Sequence, residues 1–171
     1  MEAEDVYTSN WASWFDDEET TFYMQQHYYP NSKEKQLAFF ESEIKNNANK
    51  CQLGICPKGE TTPIGMVSLQ DIDHLNRKAE FSIIIGEKQQ RRKQLSEEAM
   101  ALILTHGFDS LNLRKIYSGT LIKAWADSLC EKLGFVSQGV LQEDVFKHGR
   151  YWDVHLIAIF DEVFRKNSSS L

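Results

Sequence analysis

The sequence IIIGEKQQRRKQLSEEAM, residues 83–100, joins an apolar run to a basic loop and then to a helical pattern. The loop carries four cations, which are Lys88, Arg91, Arg92 and Lys93. A helix N-terminus presents unpaired N–H groups and a positive partial charge, and both stabilise a bound phosphate. Glycine usually lets the backbone approach such a phosphate, yet the loop after Gly86 has none. The stretch therefore indicates either a phosphate site that lacks the usual glycine or a solvated basic surface.

A central strand must hold this loop in place. The segment KAEFSIIIG, residues 78–86, begins with alternating polar and apolar residues and ends fully apolar, as a central strand does. From Leu95 onwards apolar residues recur at helical spacing, and RKIYSGTL then predicts a second strand. Nearer the start of the chain, Asn31 is predicted to cap a helix that runs to Ile44.

The remaining patterns complete a sheet. KCQLGICP and TPIGMVSLQDI predict one antiparallel hairpin, and VSQGVLQEDVF and YWDVHLIAIF predict another across the turn KHGR. AWADSLCEKLGF predicts a short helix with Ala124, Leu129 and Leu133 inward, stopped by Gly134, and the tail RKNSSSL has the composition of a frayed end. The order predicts an α/β fold, α+β in the mixed-sheet sense, with a mostly antiparallel central sheet flanked by helices.

Length and composition define the class of protein. A chain of 171 residues with 42% hydrophobic and 26% charged residues is typical of one globular domain, so residues 1–171 are predicted to form a single unit. The apolar runs are shorter than the ~20 residues of a membrane helix, and no signal-peptide pattern is present, so we expect a cytoplasmic protein. A net charge of −6 argues against nucleic-acid binding. Cys51, Cys56 and Cys130 have no metal-ligand spacing and are interpreted as reduced thiols.

Taken together, AEFSIIIGEKQQRRKQLSEEAMALILTHGFDSLNLRKIYSG, EKLGF and FKHGRYWDVHLIAIF resemble the GNAT N-acetyltransferase superfamily. The resemblance covers about residues 8–161 and is closest to the branch of ribosomal-protein N-terminal, spermidine and sugar-nucleotide N-acetyltransferases. It implies the GNAT acyl-CoA N-acyltransferase fold, in which acetyl-CoA lies in a splay between two central strands. It also implies direct transfer of the acetyl group to a primary amine of a peptide, polyamine or amino sugar.

The family binds the pyrophosphate with a loop patterned [Gln/Arg]-x-x-Gly-x-[Gly/Ala]. The resemblance implies that Arg91 takes the first place, Gln94 the glycine place and Ser96 the last. A positive φ at Gln94 costs on the order of 1 kcal/mol, whereas charge-assisted hydrogen bonds from the neighbouring cations contribute roughly 1.5–3 kcal/mol each. We therefore expect CoA to bind. The cofactor-binding residues implied in this way are Ile83, Ile84, Ile85, Arg91, Arg92, Lys93, Gln94, Leu95, Ser96 and Lys123.

The helix at residues 123–133 departs further from the family pattern. Lys123 stands at the place of an asparagine that contacts the pantetheine arm, and Ala126 at the place of a serine. Cys130 stands at the place of the tyrosine that protonates the departing thiolate. A thiol with a pKa near ~8.5 has the acidity for that step, but cysteine is shorter than tyrosine, so a small core residue is the alternative. Tyr117 and Tyr151 are other candidate hydroxyls.

Attack by an amine needs a base that removes its proton. Glu80 is the predicted base, because the resemblance places that part of the central strand on the acceptor side; an exposed structural glutamate is the alternative. A backbone N–H near Ile84 or Ile85 would polarise the acetyl carbonyl. The acidic and aromatic segment at residues 14–19 suits a cationic or amine-bearing acceptor.

Two further expectations concern the whole molecule. The departures in both motifs also fit a degenerate GNAT fold without catalysis, which would serve as a binding or regulatory module. The opening MEAEDVYTS lacks the strand pattern with which family members begin. A missing edge strand exposes unpaired backbone groups, so a homodimer is one expectation.

Overall fold

The computed structural model describes residues 2–22, 24–26, 30–91 and 95–168. The described residues ahead of the sheet form short helices, which are α1 (Asp5–Thr8), α2 (Trp11–Trp14), α3 (Glu18–Thr21) and α4 (Lys33–Phe39). A π-helical turn at Phe40–Ile44 continues α4. Ser32 caps α4, because its side chain accepts a hydrogen bond from the N–H of Lys35 and its backbone is extended. The cap predicted at Asn31 is therefore wrong by one residue, and the Asn31 N–H donates to Asp16 instead.

Six strands form one sheet in the described part of the chain. They are β1 (Cys51–Ile55), β2 (Gly65–Asp73), β3 (Lys78–Ile85), β4 (Lys115–Thr120), β5 (Val136–Lys147) and β6 (Arg150–Phe160). Their order is β1-β2-β3-β4-β6-β5, and β3 and β4 are parallel whereas the other neighbours are antiparallel. Helix α5 (Leu95–Thr105), continued by a π-helical turn at His106–Ser110, makes the crossover between β3 and β4. The predicted mixed, mostly antiparallel sheet is confirmed.

The parallel strands β3 and β4 pair only where they begin. Their paired positions are Lys78 with Lys115, Ala79 with Ile116 and Glu80 with Tyr117. Beyond these positions β3 continues beside β2, while β4 continues beside β6. The two strands therefore diverge and leave a gap in the middle of the sheet.

The sheet separates two apolar clusters. On one face, called the core side here, Phe81 and Ile116 pack with α5 and with α6 (Lys123–Leu133). On the other face, called the N-terminal side, Trp11 and its neighbours in α2 pack against Met66 and Ile84. Side chains alternate between the two faces along the regular parts of each strand, so their faces follow from position except at the register shifts of β2 and β5.

The two last helices depart from the sequence predictions in detail. Helix α6 ends at Gly134, whose φ is +81°, as predicted, but it buries Ala126 and Leu129 while Ala124 is exposed. Ala124 lies two residues before Ala126, which turns it to the opposite side of the helix. Helix α7 (Asp161–Ser168) includes residues 165–168 of the tail that was predicted to fray, and Phe164 just before them packs against Phe108 with ring centroids 5.3 Å apart. Residues 169–171 of that tail lie outside the described residues.

The edges of the sheet are β1 and β5. Residues 2–22 and 24–26 contain helices and turns, in agreement with the missing strand pattern at the start of the chain. The homodimer expected from that feature stays a prediction. None of the helices within the described ranges combines the length and the apolar character needed to cross a membrane.

Candidate active site

A chamber of about 620 Å³ lies at the gap between β3 and β4. On the core side it is bordered by Ile83, Ile85, Ser96, Ser118, Thr120 and Trp125. On the N-terminal side it is bordered by Gln36, Phe39, Lys50, Gln52, Met66, Ser68, Gln70, Glu80, Ser82 and Ile84, together with residues 24–26. The chamber therefore passes through the sheet and connects its two faces.

Two backbone N–H groups of β3 face the gap. The N–H of Gly86 donates to Ile64 beside β2 at 3.0 Å. Because N–H groups alternate sides along a strand, the N–H of Ile84 also points toward β2, and those of Ile83 and Ile85 point toward the gap. The Ile85 carbonyl agrees with this assignment, since it accepts a hydrogen bond from Nε of Arg91 at 3.0 Å. Of the two positions proposed for a polarising N–H, the geometry therefore favours Ile85 over Ile84, and it adds Ile83.

The core side of the chamber reaches the first turn of α5. Ser96, the second residue of that helix, borders the chamber, whereas Leu95 packs against the apolar core. Free N–H groups and the helix dipole make such a turn favourable for an anion. Arg92, Lys93 and Gln94 lie outside the described residues, so the predicted effect of Gln94 on phosphate binding stays a prediction.

The floor of the chamber on the N-terminal side is polar. Gln52, Ser68 and Ser82 lie side by side across β1, β2 and β3, and Gln70 lies beside Glu80 in the next row. Gln52 and Ser68 are buried. Neutral hydrogen-bonding groups on a sheet floor favour a polar ligand over an apolar one.

Glu80 projects its carboxylate from this floor. Its Oε2 accepts a hydrogen bond from Nε2 of Gln70 at 3.0 Å, which fixes the side chain. Tyr117 is paired with Glu80 across the two parallel strands. Burial, and then the negative charge of Glu80, raise the pKa of the Tyr117 hydroxyl, so it stays protonated. Tyr117 is not among the described residues that border the chamber.

Helix α4 and Lys50 cover the polar floor. Gln36 and Phe39 lie three residues apart on one face of α4, and both border the chamber. The ammonium of Lys50 lies 4.7 Å from the ring centroid of Phe39. Burial lowers the pKa of Lys50, and the negative charges of nearby carboxylates oppose that shift. The chamber therefore contains a cation of its own near its outer wall.

The wall formed by residues 20–22 and 24–26 is held from two sides. Nε2 of Gln25 donates to the carbonyl of Gly119 on β4 at 2.8 Å. The ammonium of Lys147, at the end of β5, donates to the carbonyls of Thr21, Met24 and Gln26 at 2.7, 2.5 and 3.3 Å. Lys147 is only 6% exposed, and burial lowers its pKa. This wall thus depends on contacts with β4 and with the last hairpin.

The basic loop contacts the acidic residues of α3. Lys88 donates to Asp17 at 2.9 Å and to Glu19 at 2.8 Å, and Arg91 donates to Glu19 at 3.2 Å. Hydrogen bonds from Thr20, and then Lys88, lower the pKa of Asp17 to about 2. Glu18 lies 3.4 Å from His148. Asp17 and Glu19 of the acidic segment are thus paired with cations of the chain. The expectation that this segment suits a cationic acceptor stays a prediction.

Two predicted residues of α6 do not border the chamber in the described part of the structure. Lys123 is exposed and pairs with Asp127 at 2.6 Å. Cys130 is half-buried, packs against the apolar core, and has a thiol whose pKa is raised by burial. Neither is among the described residues that border the chamber. Their proposed roles therefore stay predictions without geometric support.

Sequence reasoning missed three side chains that shape the chamber: Gln36, Lys50 and Lys147. Gln36 lies on a helix whose pattern indicated only packing, and Lys50 lies in an asparagine-rich stretch that indicated a helix stop. Lys147 stands in the turn sequence KHGR, where a lysine is usually exposed. Nothing in the local pattern marks these residues, because their positions depend on contacts between distant segments.

These features define an acyltransferase-like class of α/β protein, with diverging parallel strands and a chamber that crosses the sheet. The family model described as Acetyltransferase (GNAT) domain matches residues 1–136. The chain belongs to the GNAT acetyltransferase domain family, which confirms the resemblance seen in the sequence.

Individual relatives are spermidine acetyltransferases. The chain is 37% identical to spermidine N(1)-acetyltransferase of Vibrio cholerae over 106 residues, which are 61% of each protein. It is 36% identical to the Escherichia coli K12 enzyme of the same name over 104 residues, 58% of this chain and 54% of that one. The matches thus span 61% and 54% of the length of these two relatives.

A solved structure resembles nearly the whole chain. The crystal structure of spermidine N-acetyltransferase from Vibrio cholerae in complex with CoA and spermine has a TM-score of 0.85 and 26% sequence identity. The likeness covers 96% of this chain and 95% of that one. This extends the agreement in fold to the last hairpin, which lies beyond the family match.

Proposed function

We propose that this protein is an acetyl-CoA-dependent N-acetyltransferase that acetylates a primary amine of a polyamine. The observation that carries the proposal is the chamber that crosses the sheet at the β3–β4 gap, since it would let a cofactor and an acceptor meet from opposite faces. The spermidine acetyltransferases among the relatives support the polyamine as acceptor. They also favour catalysis over the alternative of a non-catalytic binding module.

The core side of the chamber fits the cofactor. Acetyl-CoA supplies an acetyl thioester, whose carbonyl carbon the acceptor nitrogen attacks as the CoA thiol leaves. The N–H groups of Ile83 and Ile85 face the gap and would donate to groups placed along β3. The first turn of α5 at Ser96 is where a phosphate would be stabilised. Positioning the two reactants in one chamber would contribute more to catalysis than these individual hydrogen bonds.

The N-terminal side fits the amine. A polyamine is protonated at neutral pH, so the attacking nitrogen must lose a proton before it becomes a nucleophile. Glu80 is the carboxylate of the chamber floor, and Gln70 holds it through one oxygen. We infer that the other oxygen takes the proton, directly or through water. Cys130 is not among the described residues that border the chamber, so we assign it no step and expect the departing thiolate to take its proton from solvent.

The test is release of CoA thiol from acetyl-CoA in the presence of spermidine. We expect release by the wild type and a loss of about 10²-fold or more in kcat for Glu80→Gln, as for removal of a general base. Glutamine keeps the size of the side chain and an oxygen that accepts from Gln70. Glu41→Gln, an exposed change on the turn after α4, is the control and should behave as wild type.

Two results would contradict the proposal. Absence of thiol release with spermidine and spermine, together with absence of a CoA-dependent rise in melting temperature, would remove the enzymatic function. Full activity of Glu80→Gln would leave the function in place but remove Glu80 as the base.

A further inference from the structure

Gln36 has a buried amide oxygen without a partner. Its side chain is 4% exposed, and its Oε1 finds no hydrogen-bond partner among the residues that the structure describes. Gln36 lies on α4 and borders the chamber. Buried polar atoms in native proteins are nearly always hydrogen-bonded, so an orphan acceptor that borders a chamber points to a ligand with a donor.

The neighbourhood of this oxygen defines the kind of donor that would reach it. Phe39 lies three residues further along α4, so its ring and the Gln36 amide share one face of the helix. The ammonium of Lys50 lies 4.7 Å from the centroid of that ring, so the aromatic face stabilises a cation of the chain, and the Gln36 oxygen is the acceptor left for a nitrogen of the ligand. Lys50 itself makes no hydrogen bond to Gln36 in the described part of the chain.

The position of Gln36 separates it from the reacting nitrogen. Glu80, the proposed base, projects from the sheet floor on β3, whereas Gln36 belongs to the helix that covers the floor. The thioester would lie at the β3–β4 gap, bordered by Ile83 and Ile85. An acceptor that extends from the gap under α4 would therefore place a second polar group, not the attacking amine, near Gln36.

We propose that Gln36 determines acceptor specificity by accepting a hydrogen bond from a second nitrogen of the acceptor, so that diamines and polyamines bind better than monoamines. The inference rests on the proposed function and assigns a subsite within it. The Gln36 amide is a positioning group and takes no part in the transfer of the acetyl group.

The test compares Gln36→Leu with the wild type on four acceptors of related chain length. They are spermidine, 1,4-diaminobutane, 4-amino-1-butanol and butylamine. Leucine keeps a similar volume and removes the oxygen. We expect KM for spermidine and diaminobutane to rise about tenfold, as for one hydrogen bond to a charged donor, while KM for butylamine and kcat for all acceptors change little. Gln142→Leu, an exposed change on β5, is the matched control.

Binding measured by calorimetry in the presence of CoA gives a second readout that needs no turnover. A tenfold loss of spermidine affinity in Gln36→Leu would support the subsite even if catalysis were absent. The binding measurement therefore distinguishes failure of the subsite proposal from failure of the proposed function. An equal loss for butylamine would show a packing effect and overturn the proposal. Unchanged affinity for every acceptor would overturn it as well. A loss of affinity for 4-amino-1-butanol but not for 1,4-diaminobutane would mean that the Gln36 oxygen accepts from a hydroxyl group of the acceptor. That result would overturn the proposed hydrogen bond from a second nitrogen.

Discussion

The guanidinium of Arg91 is bound to Glu19 and Thr20 of α3, at 3.2 Å and 2.6 Å. Arg91 begins the part of the loop that was expected to hold a diphosphate, and α3 contains the first residues of the wall formed by residues 20–22 and 24–26. Lys88 adds two further ion pairs between the same segments. Ion pairs thus connect the loop to the wall. A phosphate bound at the loop would compete with Glu19 for the guanidinium of Arg91.

We expect Glu19→Gln to bind CoA more tightly than the wild type. Removing the carboxylate frees Arg91 for the diphosphate, and an exposed pair worth ~0.2–1 kcal/mol predicts a fall in Kd of up to about fivefold. Calorimetric titration with CoA at low salt measures the change, and high salt should reduce it. Glu18→Gln, whose carboxylate faces His148 instead, is the control. Weaker binding by Glu19→Gln would mean that the ion pair positions Arg91 for the cofactor.

Gly86 should not tolerate a side chain. A Cβ at this position would lie 2.0 Å from the ring of Trp14, whose Nε1 also donates to Glu87 at 3.0 Å. We expect Gly86→Ala to lower the free energy of unfolding by about 1–3 kcal/mol, because Trp14 must shift in a packed cluster. Urea unfolding measures this. The double variant with Trp14→Phe should show a smaller combined loss than the sum of the single changes. Strict additivity would argue that the ring is not the cause.

The strands were predictable because their patterns are local. Alternation in KAEFSIIIG and the Pro/Gly turn between β1 and β2 depend on neighbours in sequence, and both hairpins and the crossover formed as expected. The divergence of β3 and β4 was predicted only through the family resemblance. The sequence pattern of a strand does not show that it pairs with its neighbour at three positions and then separates from it. The cap predicted at Asn31 lies one residue from the observed cap, Ser32.

The site was predictable only in part, for a physical reason. The family resemblance placed Glu80 on the acceptor side, and alternation along β3 fixes the face of the sheet on which its side chain lies. Its role as the base stays a prediction. The acidic segment was expected only to suit a cationic acceptor, and nothing in the sequence pattern indicated that Asp17 and Glu19 pair with Lys88 and Arg91, which lie about seventy positions later in the chain. Lys147 is bound by carbonyls of residues more than one hundred and twenty positions earlier. Such partners are set by tertiary structure and have no local signal.

Lys147 should be a strong contributor to stability. Lys147→Met would leave the carbonyls of Thr21, Met24 and Gln26 without this donor, and we expect a loss on the order of 3 kcal/mol in the free energy of unfolding. The same change should raise KM for the acceptor, since Met24 and Gln26 border the chamber. Lys45→Met removes an exposed lysine paired with Glu41 and should change stability by less than about 0.5 kcal/mol. Equal effects of the two variants would contradict the anchoring role.

Lys50 should limit how much positive charge an acceptor can bring under α4. Its ammonium borders the chamber over Phe39, so it repels a polyamine that reaches that wall. We expect Lys50→Gln to lower KM for spermidine about threefold or more, because like charges in a partly buried site interact strongly. Lys45→Gln, five positions earlier and exposed, is the control.

The pH dependence provides an independent check on Lys50. Burial lowers its pKa, so it loses its charge at a lower pH than an ordinary lysine does. The repulsion is present below the lowered pKa and disappears as the pH rises through it, so the advantage of Lys50→Gln should shrink toward alkaline pH. The acceptor's own amines also lose their charge as the pH rises, so the ratio of the two KM values is compared below about pH 10, where an ordinary alkylammonium group is still charged. A ratio that stays constant with pH, or a higher KM in Lys50→Gln, would instead assign Lys50 to binding the acceptor.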